Sequence, residues 1–128
     1  MYTPENITNI KRNGQLDDYI AFERDTIAKL QAASIQHDVY PDGTPGEELV
    51  SYGYLYGRLW ISDTKEVVAW FVSGSWEKRW SLAAFDGNET RALAYARAAL
   101  ASELEKVGKR VLADKAAGVA ALEAARQA

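Results

Sequence analysis

The period of the apolar residues changes once along this chain, and that change limits its fold more than any other feature. In "LVSYGYLYGRLWIS" (49–62) aromatic residues recur at every second position, and in "EVVAWFV" (66–72) both alternating sets, Val67, Ala69, Phe71 and Val68, Trp70, Val72, are apolar. After "FDGNET" (85–90) apolar residues recur every three to four positions, through Leu93, Leu100, Leu104, Val107 and Val111. A period of two puts alternate side chains on opposite faces of a strand, and a period near 3.6 lines one face of a helix. A sheet followed by a long helix, with a helical stretch before it, predicts an α+β two-layer domain.

The boundaries follow from punctuation. Thr3-Pro4-Glu5 reads as an N-cap with proline in the first helical turn, which opens an N-terminal segment (1–14) closed by Gly14. An N-terminal helix is expected from Leu16 to about Gln36, with Leu16, Ile20, Ile27 and Leu30 on its stripe and Glu23 interrupting it. "HDVYPDGTPGEE" (37–48) holds two prolines and two glycines and reads as a loop. Three strands are expected at about 49–61, 66–73 and 78–85, turning at "SDTK" (62–65) and at Ser73-Gly74-Ser75. Such short connections imply an antiparallel meander. Asn88 caps the long C-terminal helix, which can break at Gly108 or Gly118, since glycine costs about 1 kcal/mol relative to alanine there. Beyond Leu112 the stripe shifts to Val119 and Leu122, so 112–128 reads as a helical tail that could pair two copies into a homodimer.

The 128 residues are expected to form a single domain. There is no cysteine, hence no disulfide and no thiolate metal site, which fits a cytoplasmic protein. No apolar run marks a signal peptide or a membrane span. The net charge of −3 argues against a polyanion binder that works by bulk charge. His37 is the only histidine, and no nucleophile elbow, phosphate loop or cluster of metal-ligating residues accompanies it. The chain therefore reads as a non-enzyme with no cofactor, no metal and no catalytic residue.

The chemistry that stands out is aromatic and cationic. If 49–61 is one strand, Tyr52, Tyr54, Tyr56, Arg58 and Trp60 share a face, opposite Leu55, Gly57, Leu59 and Ile61. Gly57 leaves room for a helix on the second face, and Arg58 resists full burial of the first, because a guanidinium wants a carboxylate, a ring or water. With Trp70, Lys78 and Arg79 these residues are the expected binding surface. Tyrosine, tryptophan and arginine are the usual anchors of protein interfaces. The expected function is a small non-catalytic protein that binds a protein partner, in one form a phage- or plasmid-encoded inhibitor of the anti-CRISPR kind.

At the junction of the third strand and the long helix the chain reads "LAAFDGNETRALAYARAA" (82–99). Leu82, Phe85, Glu89, Ala92, Ala94, Tyr95, Ala98 and Ala99 resemble the corresponding segment of the ethylene-response-factor (Apetala) type of DNA-binding domain, while Ala83, Gly87, Thr90 and Arg91 depart from it. That resemblance implies a three-stranded sheet entering the major groove, with Arg58, Trp60, Trp70, Lys78, Arg79 and Trp80 as the DNA-facing residues. DNA binding is the alternative function. The helix–sheet–helix order is also similar to that of double-stranded-RNA-binding domains, but Asn88, Glu89 and Thr90 stand where that family needs lysines.

Overall fold

The computed structural model describes residues 2–39, 47–71 and 76–128. Three α-helices, α1 (Pro4–Arg12), α2 (Leu16–Gln31) and α3 (Glu89–Gln127), accompany five strands: β1 (Ile35–Val39), β2 (Glu48–Tyr52), β3 (Leu55–Ile61), β4 (Glu66–Phe71) and β5 (Glu77–Ser81). The strands form one antiparallel sheet in the order β1-β2-β3-β4-β5. The α+β class is as expected; the count of three strands is not. The expected 13-residue strand is a hairpin, since Gly53 and Tyr54 turn the chain between β2 and β3 and Tyr52 pairs with Leu55. Gly53 takes φ +60°, the value required at the first central position of a type II′ turn. β1 lies within what read as the end of α2 and the loop after it. The expected turn at Ser73-Gly74-Ser75, and residues 40–46 of the expected loop, fall outside the described residues.

The chain divides into two compact units. In the first, α1, α2 and the part of α3 from Lys109 onward bury Ile10, Leu16, Ile20 and Leu122 together. Thr3 caps α1 by accepting from the Asn6 amide at 3.1 Å. Its C-terminus closes in a Schellman motif, with Gly14 at φ +70° and the Gln15 and Gly14 amides donating to the Ile10 and Lys11 carbonyls. The segment 112–128, expected as a helical tail that could pair two copies, is the end of α3 and places Leu122 in this core.

The second unit holds the sheet, the 3-10 turn Leu82–Phe85 and α3 up to Gly108. One sheet face is its core: Val50, Leu55, Leu59, Ala69 and Phe71 pack with Leu100 and Leu104, and Val67 packs with Leu82, Ala92 and Ala96. Gly57 admits both the neighbouring strand and the helix, because a Cβ there would lie 2.6 Å from the Trp70 carbonyl oxygen and 2.7 Å from Leu100 Cδ1. Glu48 and Arg97 tie β2 to α3 through two bonds, Nε–Oε2 at 2.7 Å and Nη2–Oε1 at 2.5 Å. That bidentate contact holds the Arg97 pKa above its ordinary value, against the opposing effect of its burial.

α3 does not break at Gly108 or Gly118; it is one helix of 39 residues. Both glycines are places of close approach. A Cβ on Gly108 would meet the Tyr52 ring at 2.6 Å, and one on Gly118 would meet the Tyr2 ring at 3.1 Å.

Candidate functional site

The register assigns every strand residue to a face. Along β3, Leu55, Gly57 and Leu59 are buried toward the core, so Tyr56, Arg58 and Trp60 project from the other side. Opposite Arg58 stand Leu49 on β2 and Trp70 on β4, and Trp70 in turn faces Glu77 on β5. Opposite Trp60 stands Val68, followed by Arg79. The outer face therefore gathers Tyr56, Arg58, Trp60, Trp70 and Arg79. The helical elements of this unit pack on its core face. Tyr56 is 39% exposed, and Trp60 and Trp70 are half-buried.

Three residues expected on this face lie elsewhere. Tyr52 belongs to β2, and the two-residue turn reverses the alternation, so its ring packs with the core cluster against Gly108. Tyr54 sits in the turn itself, 48% exposed. Lys78 points to the core side of β5 at the sheet edge, where its Nζ lies 5.7 Å from the Trp76 ring centroid.

The electrostatics of the face were legible only in part: the sequence sets Glu66 and Glu77 among the expected cations, but not Glu47. Arg58 Nη1 lies 3.4 Å from Glu47 Oε1, and Arg79 lies 3.9 Å from Glu66 and 3.6 Å from Glu77. Among the described ion pairs of this face, two guanidiniums thus stand with three carboxylates, a balance of −1. The signal for Glu66 and Glu77 was their even spacing from Val68 and Arg79. Glu47 precedes β2 and carried no such signal. The Val68 side chain is fully buried on this face, with Trp60 and Arg79 as its cross-strand neighbours, so the apolar surface the face presents comes from the rings of Tyr56, Trp60 and Trp70.

Among the described residues no group of three His, Cys, Asp or Glu could hold a metal ion. His37 is exposed on β1, the edge strand. No described helix is long and apolar enough to cross a membrane. No family model, curated protein or solved structure matches the chain.

Proposed function

We propose that this chain is a non-catalytic binding protein whose outer sheet face, built on Tyr56, Arg58, Trp60, Trp70 and Arg79, docks a protein partner. The observation that carries the reading is the pairing of both arginines with carboxylates beside half-buried tryptophans. Partly exposed rings, rimmed by both signs of charge, suit a protein surface with complementary charges. A nucleic acid needs the reverse, since its affinity comes from cations that replace condensed counterions on phosphate. Each arginine here would first have to give up its carboxylate. The DNA alternative keeps the sequence likeness of 82–99, whose residues form the 3-10 turn and the start of α3.

The test is co-purification of the full chain with a partner, compared with Tyr56→Ala and Arg79→Ala, both exposed positions. The reading expects the partner to be lost while circular dichroism and melting stay unchanged. An unchanged partner in both variants overturns it. The narrower form, an inhibitor carried by a phage or plasmid, requires in addition that the partner's activity falls when this face is engaged.

A further inference from the structure

Within the helical unit a cleft of about 400 Å³ opens between the N-terminal segment, α2 and α3. Glu23 on its wall is only 7% exposed, and each of its oxygens takes one donor: the Tyr2 hydroxyl at 3.0 Å and Lys115 Nζ at 2.9 Å. A buried ion pair adds little stability over apolar residues of the same size, so this one is a poor choice of glue. It borders a cleft within the size range of small-molecule sites. Asp114 lines the same cleft and makes no ion pair among the described residues, whereas the Lys115 ammonium already serves Glu23. The lining thus carries two carboxylates against one ammonium. Gly118 lets the Tyr2 ring lie close to the helix backbone, and that ring forms part of the wall.

We propose that this cleft binds a small organic cation of the aliphatic amine class. Its ammonium group pairs with Asp114, in a cleft that Glu23 also lines. The methylenes lie along Val111 and the Tyr2 ring, whose face attracts cations. An anion of equal size would meet Asp114 with the wrong sign.

Putrescine is titrated into the full chain at low ionic strength, with amide chemical shifts as the readout and butane-1,4-diol and succinate as controls. The expected result is saturable shifts around Asn6, Glu23 and 111–118, with a dissociation constant on the order of 1 mM. Asp114→Asn, an exposed position, is expected to weaken binding about three- to fivefold with the fold unchanged. Added salt is expected to weaken it further. The proposal is overturned if putrescine gives no saturable shifts, if the diol or succinate binds equally well, or if Asp114→Asn leaves the affinity unaltered.

Discussion

The ring of Tyr52 lies so close to Gly108 that a Cβ on the glycine would come within 2.6 Å of Cε1 and 2.7 Å of Cδ1. Gly108 is therefore what lets α3 close on the β2 end of the sheet. By helix propensity alone, Gly108→Ala would gain about 1 kcal/mol. Overpacking a buried site costs about 1–3 kcal/mol, so the expected net effect is a loss of up to about 2 kcal/mol in urea unfolding. The same substitution in a Tyr52→Ala background is expected to reverse sign and stabilise by up to about 1 kcal/mol. A loss of the same size in both backgrounds would show that the ring is not the obstacle.

Tyr52 also shows how far the sequence could be read. The change of period from two to 3.6, the caps at Thr3 and Asn88, and the helix-facing side of β3 were all legible, because each depends on near neighbours in the chain. The hairpin was not. Alternation passes through Gly53-Tyr54 without an apolar gap, yet a two-residue turn sends the even positions of β2 to the face that the odd positions of β3 occupy. The warning was length: a strand of 13 residues is far beyond the usual ~5–6. For the same reason Tyr52 was assigned to the wrong side; Lys78 was misplaced for another, because it and Arg79 are consecutive on β5 and must point to opposite faces, while Tyr56, Arg58, Trp60 and Trp70 do share one face. The carboxylate partners of the arginines depend on cross-strand register, which periodicity does not contain. The helix-breaking reading of Gly108 and Gly118 failed because propensity is local, whereas both glycines answer to a ring from elsewhere in the chain.

Tyr2 connects a hydrogen bond to the pH dependence of stability. Burial, then its bond to the Glu23 carboxylate, push the Tyr2 phenol up to about 12 from its ordinary 10.0. Between those values the folded state keeps a proton that the unfolded state has lost, so stability falls as pH rises. The contribution is whole below pH 10.0 and gone above about 12. Urea midpoints measured across this window are expected to decline less steeply in Tyr2→Phe. Alkaline titration of tyrosinate absorbance should lose one late-ionising group in that variant. At neutral pH the change is expected to cost about 1 kcal/mol, the net worth of one hydrogen bond.

Lys65 offers a test of backbone strain. It ends the β3–β4 turn at φ +62°, where the Lys65 amide donates to the Ser62 carbonyl at 3.1 Å and the Ser62 amide to the Glu66 carbonyl at 2.8 Å. This is the left-handed position that closes a three-residue hairpin and favours glycine. The side chain is exposed, so Lys65→Gly removes the Cβ penalty of about 1–2 kcal/mol and loses no packing. Glycine's larger freedom in the unfolded chain offsets part of that gain. A net stabilisation of about 0.5–1 kcal/mol is expected in thermal or urea unfolding, and Lys65→Ala should bring none of it.

The charge balance of the outer face makes the choice between protein and DNA accessible to experiment. Glu47, Glu66 and Glu77 lie within 3.4–3.9 Å of Arg58 and Arg79. With those carboxylates in place, the chain is expected to pass through immobilised heparin at low salt without retention. The triple variant Glu47→Gln, Glu66→Gln, Glu77→Gln keeps side-chain size and hydrogen-bonding capacity while taking the local charge from −1 to +2. It is expected to gain retention that falls as salt rises, because the released guanidiniums now displace counterions. Partner binding should weaken in the same protein, since the rim no longer presents both signs of charge. Salt-sensitive retention of the unmodified chain, lost in Arg58→Ala with Arg79→Ala, would instead identify the face as a nucleic-acid surface despite its carboxylates.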